Sequence, residues 1–407
     1  MTLLSSLPFP SALRTLCTGL IAASLLTACG GGGDDAASSG SAAPASQGAG
    51  SLRQGPITGF GSIIVNGVRF DDSAAQVLDD DGEARGRDDL RLGMWVEVEG
   101  DAVGNQTTGV ARSVRFGSQI QGPVEAVNVG AGTLTVLGQT VAVDTSTVYG
   151  GLANGLASIA PGAVVEVHGV TQTATGRVMA SRVELASAPR EVYKLRGAVT
   201  AVNTATRTFN IGTATISYGN LNASGVVVGA VVRVRLETVK QADVWVATRL
   251  VVQGQKKAND YNEADIHGVV TAYTSPTQFS LNGVPVNAAN AVFEDGTSGV
   301  VLGARLEVEG RLVDGVLVAR KVEIDGRDDG KDDEDDERRR PELHGLIGDL
   351  NATARTFVLR GVSVSYGPGT EFRSISEAQL RNGVKVEVKG TLAANGTISA
   401  TRIALED

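Results

Sequence analysis

Aromatic side chains make up only 4% of this 407-residue chain, which also has just three histidines and two cysteines. Surfaces that stack nucleobases or sugars need exposed rings, so the shortage of rings argues against that mode of binding. So few histidines and cysteines leave no Cys/His cluster of the kind that holds zinc. Both cysteines, Cys17 and Cys29, fall near the N-terminus, so the remainder expects neither a disulfide nor a thiol nucleophile. An excess of positive charge is lacking as well. The formal net charge is −9, which repels phosphate backbones and makes nucleic acid an unexpected partner.

The longest apolar run near the N-terminus, Thr15 to Leu26, follows a single positive charge, Arg14. It falls short of the roughly 20 residues that a spanning helix needs. Residues 1–28 therefore read as an export signal. The segment ends Leu26-Thr27-Ala28-Cys29, which resembles the lipobox of bacterial lipoproteins. That resemblance implies lipidation of Cys29, with a diacylglycerol on sulfur and an acyl chain on the amine. Several acyl chains, at about 0.8 kcal/mol per buried methylene, would make release from the membrane negligible. Gly30, rather than Asp, follows the cysteine, and by the same resemblance this implies the outer membrane. Residues 29–55 are rich in Gly, Ala and Ser and read as a flexible tether with a reach of about 28 Å.

What the chain has in quantity is glycine, 52 residues, spaced through short alternating apolar runs. Those runs repeat. Leu92 to Gly100 (LGMWVEVEG) aligns with Pro161 to Gly169, Val228 to Leu236, Leu302 to Gly310 and Asn382 to Gly390. Its period-two Val-Glu alternation predicts a strand with Val inward and charge outward. A second signature closes each copy: Ala111 to Phe116, Ala180 to Leu185, Ala247 to Val252, Ala319 to Ile324 and Ala400 to Leu405. A third opens each copy, as in Ile57-Thr58-Gly59 and Leu343-His344-Gly345. Asn66-Gly67 and Asn282-Gly283 sit between alternating residues and predict type I′ hairpins. In copy five, Ser376 to Gly383 reads as one helical turn capped by Ser376 and ended by Gly383.

The reading is all-β: a tandem array of five small five-stranded OB-like barrels or open rolls. Its boundaries are 56–118, 119–190, 191–254, 255–326 and 341–407, with a charged linker at 327–340. Five separate sheets are expected, with Val98, Val167, Val234, Val308 and Val388 buried. Glu97, Glu166, Glu307 and Glu387 should be exposed. Lipobox, tether and Gly-x-x-Val-Glu-Val-x-Gly units together resemble bacterial lipoproteins of the domain-of-unknown-function 5666 family. Copy three departs from the pattern, with Arg233 and Arg235 at the acidic positions and Leu236 for the closing Gly. The family carries no established site, so the resemblance assigns no functional residue.

Candidate chemistry is sparse. His267 and His344 share a repeat position that Thr58, Gln121 and Arg196 fill elsewhere, which predicts outward strand residues. Arg182, Arg249, Lys321 and Arg402 are expected to pair across strands with Glu166, Glu307 and Glu387. Arg233 and Arg249 should splay apart or recruit an acid such as Glu237. Phe209, Phe279 and Phe357 alternate with aliphatics and read as core, whereas Trp95 and Trp245 lie at unrelated points of the repeat, where exposure is open to them. Hard oxygen ligands suit Ca²⁺, and the candidates are Asp79, Asp81, Asp325, Asp329 and Asp336. No catalytic constellation can be assembled. The functional expectation is a non-catalytic lipoprotein whose modules bind or space an envelope protein or polysaccharide. A Ca²⁺-dependent or saccharide-binding module and a cell-wall hydrolase are the alternatives.

Overall fold

In the computed structural model, the Val-x-Val alternation of each copy becomes one wall of a closed barrel. The residues described are 50–101, 107–152, 154–172, 175–186, 189–252, 261–324, 341–393 and 397–406. The export signal, Cys29, Asp325, Asp329 and Asp336 lie outside them.

Barrel 1 uses strands Ser51–Gly59, Ile63–Val65, Val68–Asp71, Trp95–Gly100 and Thr108–Phe116. The first strand pairs antiparallel with the second and the fourth, and the second with the third. The third runs parallel to the fifth, and an antiparallel pairing of fourth and fifth closes the ring. Barrel 2 repeats this with Ile120–Asn128, Thr133–Val136, Gln139–Ala142, Val164–Gln172 and Arg177–Leu185. Barrel 3 uses Tyr193–Asn203, Thr208–Ile211, Ala214–Ser217, Val231–Leu236 and Trp245–Val252. Barrel 4 uses Tyr261–Ser275, Gln278–Leu281, Val284–Asn287, Arg305–Val313 and Val316–Ile324. In barrel 5 the first strand is broken at Ile347 into Glu342–Leu346 and Gly348–Asn351. Thr356–Leu359, Val362–Ser365, Lys385–Leu392 and Ile398–Leu405 complete it. The copies are therefore closed OB-like barrels, not open rolls.

Two glycines of the repeat have physical causes. The one leading the fourth strand holds a positive φ, 79° at Gly93 and 84° at Gly383, where a Cβ is strained. The one closing that strand marks a β-bulge, where register shifts between Glu309 and Gly310. A Cβ at Gly310 would collide with the Val318 carbonyl oxygen. Both Asn-Gly hairpins adopt two positive φ values, 51° and 70° at Asn66-Gly67 and 52° and 85° at Asn282-Gly283, as type I′ requires. The turn before the last Val-Glu strand is a 3₁₀ turn, Glu377–Gln379, with the Ser376 N–H donating to the Gln379 side chain at 2.8 Å. Leu380, not Gly383, ends it.

The five inward valines are buried, as are Phe209, Phe279 and Phe357. Several expectations need correction. Trp245 is buried, edge-on to Tyr193 at 5.8 Å with the Lys240 ammonium 5.1 Å from its ring. Trp95 is half-buried. Glu97, Glu166, Glu307 and Glu387 are half-buried rather than exposed, and so are His267 and His344. Residues 51–55, read as tether, belong to the first strand.

The barrels also share edges. Ser51 to Gln54 pair in parallel with Glu263 to Ile266 of barrel 4, and Gly59 pairs with Glu342 of barrel 5. Gln121 and Ile120 of barrel 2 pair with Lys194 and Leu195 of barrel 3. Hydrogen bonding thus runs on between copies instead of stopping at five separate sheets. The cores fuse too: one cluster spans barrels 1 and 5, another spans barrels 2 and 3, and a third fills barrel 4. Units this small bury too little surface alone, so shared edges and cores are the expected remedy.

Candidate functional site

The outward faces of the barrel strands meet one another, and there the polar side chains collect. Copy three shows how. Arg235 and Arg249 stand directly opposite across its fourth and fifth strands, a like-charge pair. Asp81, from the acidic insertion of copy one, enters between them. Its Oδ1 accepts from Arg233 at 2.8 Å and lies 3.2 Å from Arg249, and its Oδ2 binds Arg235. Asp80 lies 3.3 Å from Arg233 and 3.9 Å from Lys194. The arginines do recruit an acid, but it comes from copy one rather than from Glu237. Burial raises the Asp81 pKa, yet the surrounding guanidiniums outweigh it and hold the carboxyl below its ordinary value.

Asp79 turns the other way. Its carboxylate accepts from the backbone N–H of Asp81 at 2.9 Å and of Glu83 at 3.0 Å, and from Arg85 Nε at 2.9 Å. The first acidic segment therefore works as a stapled finger, with both candidate Ca²⁺ ligands engaged by arginine.

Barrels 1 and 4 meet at Arg53 and Asp265, a buried ion pair reinforced by the Asn66 amide, which donates to Asp265 Oδ1 at 3.3 Å. Barrels 1 and 5 meet at Glu342, whose backbone oxygen accepts from Phe60 at 2.8 Å and whose carboxylate binds Arg69. His344 bridges Glu342 at 2.7 Å and Glu406 at 3.1 Å. Burial lowers the His344 pKa, but the two carboxylates outweigh it and raise it. Next to this joint a cleft of about 350 Å³ is lined by Phe60, Ser62, Asp72, Arg87, Asp88 and Arg360. Arg87 is held there by Asp72 at 2.8 and 3.0 Å.

In barrel 2 the fourth strand places Glu166 and His168 on one outward face, and the register sets Glu184 opposite Glu166 and Arg182 opposite His168. Arg182 donates to Glu184 Oε2 at 3.1 Å through Nε and to the Leu92 carbonyl of copy one at 2.9 Å. Gln121 donates to Glu166 Oε2 at 2.7 Å, and Arg190 lies 3.5 Å from the same oxygen. His168 is fully buried, and neither of its ring nitrogens has a hydrogen-bond partner. Its Nε2 lies 3.5 Å from Glu166 Oε1, an electrostatic contact rather than a hydrogen bond. Burial raises the Glu166 pKa, but His168, Gln121 and Arg190 bring it down to about 2.

The expected cross-strand pairing is seen in copy five, where Arg402 meets Glu387 at 2.6 Å. Arg182 pairs with Glu184, Lys321 with Glu294 and Glu323 at 3.2 and 3.1 Å, and Arg249 with Asp81. Arg182 and Arg249 are drawn instead to nearer carboxylates, Glu184 on the same strand and Asp81 of copy one.

Sequence reasoning missed two Glu-His-Glu groupings, Glu166–His168–Glu184 and Glu342–His344–Glu387, each with ligand atoms within 4.8 Å of one another. Their signal was present. Glu-x-His within a strand, as in Glu166-Val167-His168 and Glu342-Leu343-His344, puts both side chains on one face.

Comparison with known proteins gives four matches to the family described as "Domain of unknown function (DUF5666)", at residues 54–115, 121–184, 267–323 and 344–404. Together they span more than half of the chain. The divergent barrel 3 falls outside these segments. No curated protein matches. A solved structure described as "drosophila Unr CSD456" is similar at 17% identity, over 50% of this chain and 98% of that chain, with a TM-score of 0.14.

Proposed function

Because the chain belongs to the DUF5666 family, as a repeated barrel array, we propose that it is a non-catalytic, lipid-anchored platform of the bacterial envelope. Its fused barrels bind or space an envelope protein or polysaccharide. The observation that carries this reading is where the polar side chains go. Asp81, Arg53, Asp265 and Glu342 all make ion pairs that join one barrel to another, and His344 braces Glu342 from within barrel 5. Residues so engaged hold a shape and are poorly placed to turn over a substrate. The lipobox-like Leu26-Thr27-Ala28-Cys29 supports attachment at Cys29, and the tether supports a body held off the membrane.

The test is in vivo crosslinking followed by recovery of the chain from envelopes, alongside a Cys29→Ala variant. The reading expects a reproducible envelope partner and membrane fractionation that Cys29→Ala abolishes. Cleavage of purified peptidoglycan by the isolated chain would refute the non-catalytic part. Membrane fractionation unaffected by Cys29→Ala would refute the anchor.

A further inference from the structure

We propose that Glu166, His168 and Glu184 form a binding site for one divalent transition-metal ion of the zinc class, on the outer face of barrel 2 beside the point where Arg182 reaches copy one. A fully buried imidazole with both nitrogens unpartnered is uncommon, and an ion is one of the few things that explains it. The 3.5 Å between His168 Nε2 and Glu166 Oε1 is long for a hydrogen bond. It fits two ligands of one tetrahedral ion, because bonds of about 2.1 Å at the tetrahedral angle put such atoms about 3.4 Å apart. Glu184 supplies the third donor within 4.8 Å of the others.

The surroundings behave as supports. Gln121 and Arg182 each hold the Oε2 oxygen of one glutamate, which fixes the orientation of both carboxylates. Glu166 and Glu184 face each other directly in register, a repulsive arrangement that a cation between them relieves. Copy three shows the inverse case at the adjacent register position: Arg235 faces Arg249, and a carboxylate sits between. Arg190 lies near Glu166 Oε2, and Oε1 faces the imidazole. One nitrogen and two carboxylates suit zinc, cobalt or nickel better than calcium, which takes six or more oxygens. The Glu342–His344–Glu387 group lacks this character, because both His344 nitrogens are already hydrogen-bonded.

The experiment strips the full chain of metal and titrates it with Zn²⁺ against a chromophoric chelator, with Co²⁺ absorption as a second probe. One Zn²⁺ per chain is expected, together with a visible Co²⁺ spectrum that His168→Gln removes. Because His168 is buried, Glu166→Gln and Glu184→Gln provide milder variants, with circular dichroism checking the fold. Each should weaken Zn²⁺ by more than about tenfold, the loss that even outer partners cause. Asp329→Asn with Asp336→Asn should leave binding unchanged. Zn²⁺ uptake no stronger than that of folded Glu166→Gln, or uptake that disappears with Asp329 and Asp336 instead, would overturn the proposal.

Discussion

Asp81 illustrates how much rests on single outward residues. Its carboxylate is nearly sequestered and contacts three guanidiniums from a copy some 150 residues away in sequence. Asp81→Ala should destabilise the chain by about 1–3 kcal/mol, since it strands charged donors in a crowded joint. In a double-mutant cycle, Arg235→Ala should recover part of that loss, whereas additive effects would mean the contact is idle. Inside the barrels the logic is simpler. Val308 is fully buried, so Val308→Ala should cost about 1–3 kcal/mol in a urea melt. Glu307→Gln, on the opposite face of the same strand, should cost under about 1 kcal/mol.

The residue scale also sets a pH window. His344 binds its proton more tightly in the folded chain than its ordinary 6.5 implies. That stabilisation is complete below 6.5 and fades as pH rises through the folded value. Glu342 is the reverse. Burial opposes ionisation, but His344, Arg69 and Lys389 hold its pKa at about 2 against an ordinary 4.5. Its contribution is full above 4.5 and lost as pH falls towards 2. The joint between barrels 1 and 5 should thus be strongest between these limits. Thermal melts across pH should show the alkaline loss in the parent chain and a flatter alkaline limb in His344→Gln. An unchanged limb would mean His344 does not carry it.

At the scale of elements, the repeat's glycines mark geometry. Gly310 sits at a bulge within its strand with no room for a Cβ, so Gly310→Ala should cost more than about 1 kcal/mol. A tolerated substitution, read by melting, would contradict that crowding. Much at this scale was legible in the sequence. Period-two alternation identified the inward valines, and Asn-Gly placed the hairpins, because both follow from local backbone geometry. Charge pairing was less legible. Arg182 stands opposite His168 and turns to Glu184 on its own strand, a choice between acids that the aligned sequence does not carry. Trp245 was misread because its cover, Tyr193, belongs to a distant strand of the same barrel.

At the scale of the molecule, the barrels do not follow one another like beads. Barrel 1 pairs edge to edge with barrels 4 and 5, and barrels 2 and 3 share a core. Nothing local encodes such choices. Asp265 reads as an ordinary outward acid until the Arg53 strand is laid beside it. Likewise, the two Glu-x-His pairs gain meaning only when the third carboxylate arrives from a neighbouring strand. Asp265→Ala should cost about 3–5 kcal/mol, because it leaves a buried guanidinium without its counter-charge.

Shared edges and fused cores should make the five barrels one mechanical body. Scanning calorimetry of the full chain tests it most directly. A single transition is predicted, with calorimetric and van't Hoff enthalpies equal, and Asp265→Ala should lower or split it. Several independent transitions in the parent chain, each the size of one barrel and indifferent to Asp265→Ala, would contradict the account.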